Sequence, residues 1–460
     1  MSDKAGAVRA ASLRGLCGGA VLLPGDDAYD AARAAWNLAV DQRPAAIAYP
    51  GDPVEVAAVL RAAARAGLRV APQGTGHNAG PLAPLNDVVL LRTSGMIRVS
   101  VDAAARWARV QAGARWLDAV EAAAPYGLAA LHGTAPTVGV VGYSLGGGIG
   151  WYARALGQQA NSITAVELVT ADGGLLRVDA DHDRELFWAL RGGGGSFGVV
   201  MALEFALYPI RTAYSGMLAW DWQHTRAVLD RWVPWTADAP DLVTTCFRIQ
   251  QVPPLAAFPA PLRGRKLVVI EGAVLGDEVL AERLLAPLRA LRPEIDTFAA
   301  RPASSIVVPP DLRDPAAVVA DSAMLAELPA AAVEAFVDSA GPYSKSSLRR
   351  TELRQLGGAL SRPEPGAGAL PLLNGQFLLF ASTNADTPRD QARGLADARR
   401  IITAMSPFSS GSQYLNFATR TVDVSTGYHP DAWSRLRAVR AAVDPDQVLL
   451  ANHPVPPAQR

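Results

Sequence analysis

Between residues 122 and 153 the chain carries no Asp, Glu, Lys or Arg, a run long enough to suggest a membrane span. Eight glycines, two prolines, His132, Ser144 and two threonines interrupt it, so it does not read as a helix in lipid. It reads as buried loop and strand around a ligand. Six of the glycines fall from Gly139 to Gly150, where bare backbone leaves room and donors for something large and flat.

Two further glycine-rich stretches bracket this one. Gln73-Gly74-Thr75-Gly76-His77-Asn78 follows a buried strand at 68–71 and a helix at 52–66 that Gly67 stops. Successive main-chain N–H groups in such a turn form a concave anion site suited to a pyrophosphate, with His77 held against whatever carries it. Alone it would read as a surface turn with an incidental histidine. The third stretch contains Gly193, Gly195 and Gly198, which formally satisfy G-x-G-x-x-G. A nicotinamide-dinucleotide site needs a strand before that motif and a helix after it. Here a helix at 183–191 precedes and a strand at 199–207 follows, so that reading fails on context.

The 460 residues suffice for two or more domains, and 43 basic against 43 acidic residues leave no net charge. A neutral chain without a basic cluster argues against a nucleic-acid or anionic-membrane partner. Cys17 and Cys246 are far apart and match no zinc spacing, and no pair of histidines or carboxylates has metal-ligand spacing. Residues 1–16 lack an apolar segment of signal-peptide length. The expectation is a cytoplasmic protein with free thiols and no metal.

The spacing predicts helices at 27–40, 116–124, 277–286 (ended by Pro287) and 390–405. Strands are expected at 47–49, 88–91, 108–111, 214–222, 243–250, 266–274 and 376–382. Segments 163–170 and 175–178 flank Ala171-Asp172-Gly173-Gly174, a hairpin signal. Alternation at short spacing gives an α/β or α+β first half; after Pro209, longer strands and alanine-rich helices suggest a second sheet covered on one face, and α+β is the class expected for the whole. The boundaries expected are 1–209 (core about 40–209), 210–405 and 406–460.

Together these stretches resemble the FAD-binding domain of the vanillyl-alcohol-oxidase superfamily, the PCMH-type fold, and within it the berberine-bridge-enzyme-like oxidases. The turn 74–78 is similar to that family's Gly-Gly-Gly-His-Ser/Asn turn. Pro136-Thr137-Val138-Gly139 and Leu145-Gly146-Gly147-Gly148-Ile149-Gly150 resemble its second flavin loop. Val169-Thr170-Ala171-Asp172-Gly173, Phe187-Trp188-Ala189-Leu190-Arg191-Gly192, Tyr414-Leu415-Asn416-Phe417 and Asn452-His453-Pro454 match further blocks. The match is weakest across 214–405. The resemblance implies an FAD held by Gln73 to Asn78, by Thr137, Val138, Gly139, Gly142, Tyr143, Ser144, Gly147, Gly148 and Gly150, and by Gly198, Val200, Asn416 and Asn452.

It also implies a covalent bond from His77 to the flavin 8α-methyl. Relatives that add a cysteinyl bond carry it just before Pro136, where Ala135 stands here, so one link and no cysteinyl link is expected. Ala160 replaces the family's usual Asp before Asn161, and Phe417 stands where relatives often have Tyr.

Hydride removal needs a base for the adjoining proton, or a substrate already deprotonated. Tyr414 matches a family tyrosine and is the candidate catalytic base, or else a tyrosine that packs its ring and wets its hydroxyl. A free phenol titrates near pH ~10, so the catalytic role needs a neighbouring charge or donor. His132 reads as a satisfied core histidine, His182 and His224 as surface, and His429 and His453 as turn residues. Trp220, Trp222, Trp232 and Trp235 read as core.

The activity implied is oxidation of a small alcohol, amine or aromatic secondary metabolite, with O2 as acceptor and hydrogen peroxide as product. A dehydrogenase or oxidative cyclase using another acceptor, and a flavin-binding protein without turnover, are the alternatives.

Overall fold

The structure is a computed structural model that describes residues 2–82, 84–256, 258–307 and 314–459. Among them three sheets form, and the mixed α+β class expected from the sequence is the one observed.

The first sheet runs in the order Val21–Leu22, Ala46–Ala48, Val88–Arg92, Arg69–Gln73, with its last three strands parallel. The crossover between Ala46–Ala48 and Arg69–Gln73 is the helix Pro53–Arg65. Asp52 caps it by accepting the Glu55 N–H at 2.9 Å, Pro53 opens it, and Gly67 turns the chain out at φ +63°. Val56, Val59, Leu60 and Ala63 recur at helical spacing and are buried against the sheet.

The second sheet is antiparallel, in the order Val99–Asp102, Trp107–Gln111, Val199–Ala206, Ile163–Val169, Leu175–Asp179. The expected hairpin around Asp172 closes its edge.

The third sheet has eight strands. Seven lie in the order Ile295–Asp296, Thr212–Asp221, Lys266–Val274, Val243–Gln251, Arg350–Gln355, Phe377–Asn384, Val318–Leu325, and Ala299–Pro302 pairs with Thr212–Asp221. Helices Thr225–Asp238, Glu278–Arg289, Ala330–Ala340 and Pro388–Met405 cover one face, packing on Phe247, Leu353, Leu379 and Leu325. Trp220 and Trp232 lie in that core, with Trp222 and Trp235 packed at its edge, as the sequence suggested. The opposite face looks toward the first two sheets.

Two helix expectations need correction. The segment 27–40 is helical only over Tyr29–Ala32. Beyond it the backbone is claimed by distant partners: Trp36 N–H bonds to Thr75 O (2.8 Å), and the Asn37 amide bonds Val318 in both directions (2.9 and 3.0 Å). Pro287 does not end its helix, which continues to Arg289. Proline that close to a C-terminus removes one backbone bond, and burial of Leu285 and Leu288 holds the last turn. In the uncharged stretch, Val140–Leu145 is a short helix that the glycine content had concealed.

The C-terminal segment returns to the first sheet. Val70 N–H bonds Val448 O at 2.7 Å and Leu450 N–H bonds Val70 O at 2.8 Å. Arg440 and Asp444, both buried, hold this return. Arg440 binds the carbonyls of Ser196 and Leu449, while Asp444 accepts the N–H groups of Val448 (2.9 Å) and Leu449 (2.8 Å).

Candidate active site

The strand Arg69–Gln73 delivers its last side chain, Gln73, to a buried amide pair with Gln42 at 3.0–3.1 Å. The chain then turns at Gly76, at φ +81°, where a Cβ would come within 2.8 Å of Ala35. That turn aims His77 into a cavity of about 690 Å³ between the first two sheets and the third.

His77 is clamped on two sides. Its Nε2 lies 3.0 Å from Thr137 Oγ1, and its ring stacks on Trp36 with centroids 3.8 Å apart and planes 16° from parallel. Burial pulls its pKa down to about 3, against a smaller opposing effect from Thr137, so the imidazole is neutral at any physiological pH. A neutral imidazole keeps a nitrogen lone pair available.

The three glycine stretches converge here. Gln73 through Asn78 line the cavity, as do Val138, Gly139, Gly142 and Tyr143 from the second stretch and Gly198 and Val200 from the third. Asn416 and Asn452 join them from the C-terminal segment. Asn416 donates to Tyr143 O (2.9 Å), Asn452 to Asn78 O (3.4 Å), and Asn78 to Leu415 O (3.3 Å), which ties that segment to both loops.

The glycines sort by what a side chain there would meet. At Gly150 a Cβ would sit 1.9 Å from His132 O, and at Gly198 2.3 Å from Leu168 Cδ1, so packing demands glycine. At Gly142 it would meet nothing within 4 Å, and at Gly74, Gly139 and Gly195 nothing closer than 3.7 Å. Glycine inside a helix costs roughly 0.5–1 kcal/mol against alanine. Protein packing does not require Gly142 to be bare, and a flat ligand against that wall does. The residues present therefore fit an FAD.

Other expected site residues stand behind the wall. Thr137 acts through His77, and Ser144 is buried with no hydrogen-bond partner for its hydroxyl among the described residues. Gly147 and Gly148 turn the chain at φ +114° and +86°. Ala135 is on the lining, at the position the resemblance assigns to a second link.

Tyr414 departs from its expected place. It is buried outside the cavity lining, and its hydroxyl accepts from the Gly148 N–H (2.7 Å) and from Asn416 Nδ2 (3.4 Å). Burial raises its phenol well above the ordinary range, more than those donors lower it. Engaged in this way, the hydroxyl braces the second glycine loop.

Two tyrosines that do reach the cavity donate to backbone carbonyls, Tyr143 to Leu131 O (3.2 Å) and Tyr428 to Gly192 O (3.0 Å). His453, expected in a turn, also lines it, with Nε2 3.0 Å from Ala418 O. His132 is buried and half satisfied, its Nδ1 bonded to Gly133 O (2.8 Å). His182, His224 and His429 are exposed, His224 and His182 as expected.

Sequence reasoning missed Trp36 and the whole third-sheet wall: Gln250, Arg350, Arg354, Phe380 and Ser382. Nothing local marks Trp36. The wall had one signal, a period-2 alternation of the charged residues Arg350, Glu352 and Arg354 with the uncharged Thr351, Leu353 and Gln355.

Comparison with known proteins agrees with this geometry. Residues 44–179 match the FAD binding domain family. Over 459 residues the chain is 28% identical to (R)-6-hydroxynicotine oxidase of Paenarthrobacter nicotinovorans, covering 95% of this chain and 97% of that one. It is 35% identical over 201 residues to glucooligosaccharide oxidase of Sarocladium strictum, covering 42% of this chain and 40% of that one. The crystal structure of 6-hydroxy-D-nicotine oxidase from Arthrobacter nicotinovorans superposes with a TM-score of 0.84 at 26% identity, covering 95% and 98% of the two chains. Berberine-bridge-enzyme-like 1 of Physcomitrella patens shares the fold, with a TM-score of 0.82 at 21% identity over 96% and 97%. With no helix among the described residues long and apolar enough to cross a membrane, the uncharged stretch is accounted for by the cofactor wall. Along nearly its whole length the chain is similar to FAD-linked oxidases, with residues 44–179 matching the FAD binding domain, and it has the fold of the berberine-bridge-enzyme-like proteins.

Proposed function

We propose that this enzyme is an oxidase that takes hydride from a C–H beside an alcohol, amine or aromatic centre of a small metabolite and passes the electrons to O2, releasing hydrogen peroxide. In this reading residues 1–209 and 406–460 hold FAD, and residues 210–405 cover the substrate. Bound FAD supplies the two-electron acceptor. His77, kept neutral and fixed by Trp36 and Thr137, holds it through a single covalent link, and the bare wall at Gly74, Gly139 and Gly142 admits its ring system. Tyr143, Asn416 and Asn452 keep the two cofactor loops and the C-terminal segment closed around it. The observation that carries the proposal is the placement of a clamped, neutral imidazole at the meeting point of three glycine stretches.

The purified protein should be yellow, and after acid precipitation the colour should stay with the polypeptide. His77→Ala should release it to the supernatant. Oxidase activity should yield one peroxide per substrate oxidised in air; a reduced flavin that persists in air would assign the chemistry to a dehydrogenase. A colourless protein that takes up no FAD would end the proposal.

A further inference from the structure

Three adjacent strands of the third sheet present alternate side chains to the cavity. Across Val243–Gln251, Arg350–Gln355 and Phe377–Asn384 the register sets Gln250, Arg350 and Ser382 side by side, then Arg248, Glu352 and Phe380. Glu352 is fully buried beneath this wall. Arg354 gives Nε (2.9 Å) and Nη2 (2.7 Å) to one of its oxygens, while Nε of Arg248 lies 3.2 Å and Nε of Arg350 3.6 Å from the other. Burial works against ionisation of this carboxyl, but the three arginines outweigh it and hold the pKa at about 2. So engaged, Glu352 is neither a proton acceptor nor a counter-ion for a substrate ammonium.

Arg354 itself reaches the cavity. Its guanidinium lies 5.0 Å over the Phe417 ring, which meets Phe380 edge to face at 5.2 Å, so a fixed cation adjoins an aromatic surface. Its side chain is only 17% exposed, a setting where charge acts more strongly than in water. Among the described residues the side-chain carboxylate on the cavity lining is that of the solvent-exposed Asp314, against the guanidinium groups of Arg349, Arg350 and Arg354.

We infer that the site selects a small substrate whose apolar, ring-bearing body carries an ionised carboxylate, docked on Arg354 with Arg350 beside it. This rests on the oxidase reading above and narrows its substrate class. Arginine held in place by a buried partner offers its remaining N–H groups without losing rotamer freedom, which favours planar anions. An ammonium would meet like charge there, and a neutral alcohol would leave the arginine's field unused.

The test uses the flavin-loaded protein as purified, titrated with benzoate, benzyl alcohol and benzylammonium. Binding is read by the visible flavin spectrum and, independently, by calorimetry. Benzoate should bind about tenfold or more tighter than benzyl alcohol, weaken as salt is raised, and leave benzylammonium without measurable binding. Arg354→Met should weaken benzoate by about tenfold and leave benzyl alcohol unchanged. Because that change strands Glu352, the double variant Glu352→Gln/Arg354→Met and the single Arg350→Gln are measured with it. Equal affinity for benzoate and benzyl alcohol, or an unaltered ratio in folded variants, would overturn the inference. A protein that lacks flavin but still prefers benzoate by calorimetry would sink the oxidase reading and leave the anion preference standing.

Discussion

The indole of Trp36 lies flat on the imidazole of His77, 3.8 Å between centroids, although 41 positions separate them in a loop-rich part of the chain. With Thr137 on the ring's edge, the stack leaves His77 little freedom to turn. Reaction at one imidazole nitrogen depends on that orientation. Trp36→Phe preserves a stacking face and should keep acid-stable flavin near the wild-type level. Trp36→Ala should slow its acquisition by about tenfold to a hundredfold. In-gel flavin fluorescence against time after adding FAD to apoprotein measures both. Equal rates would remove Trp36 from the proposal.

Acid should unfold the flavin-free protein early. Burial lowers the pKa of His77, to about 3, and those of His132 and His453 also move down. The unfolded chain takes up these protons near the ordinary value of 6.5, while the folded form refuses His77 its proton until about pH 3. Stability is therefore complete above pH 6.5 and lost progressively as pH falls toward 3. Melting temperature measured from pH 7.5 to 4.5 should decline, and His77→Phe should flatten the decline. A curve independent of pH would contradict the buried neutral state.

Gly142 and Gly150 should respond oppositely to alanine. Gly142→Ala adds a methyl that meets no protein atom and removes the helical penalty of glycine, so the apoprotein should gain about 0.5–1 kcal/mol. The same methyl stands on the cofactor wall, and FAD content per chain should fall. Gly150→Ala forces a Cβ onto His132 O and should destabilise both forms, by roughly 1–3 kcal/mol or more. Thermal melts paired with flavin-to-protein absorbance ratios separate the two cases. A flavin content unchanged in Gly142→Ala would remove that residue from the site.

Tyr414→Phe distinguishes strut from base. As a strut it should cost about 1–3 kcal/mol, because the Gly148 N–H loses its acceptor in a buried place. The pH–rate profile should keep its shape. A catalytic base would instead lower kcat by about a hundredfold or more with little change in stability. The second pattern would restore Tyr414 to the chemistry.

Much of the cofactor half was legible because its determinants are local. Glycines at 74, 76, 139 and 142 free the backbone locally and leave it bare, and the helix at Pro53–Arg65 carries its cap, its apolar face and its stop within one stretch. The segment 27–40 was misread because its spacing suits a helix, while hydrogen bonds to Thr75 and Val318, the latter 281 positions away, take the backbone elsewhere. Arg350–Gln355 was missed as a buried strand for a similar reason. Its charges look like a solvated surface until Arg248 and Arg354 close around Glu352.

By itself, then, the order of residues determined where the backbone could bend, which stretches could approach an anion and which histidine would stand at the turn, since φ freedom and capping are settled within a few bonds. Which side chains face that histidine, that Tyr414 is withdrawn onto Gly148, and that a charged strand lines the cavity were decided only by tertiary structure. Those contacts join residues separated by tens to hundreds of positions, and their energies exist only once burial has excluded water.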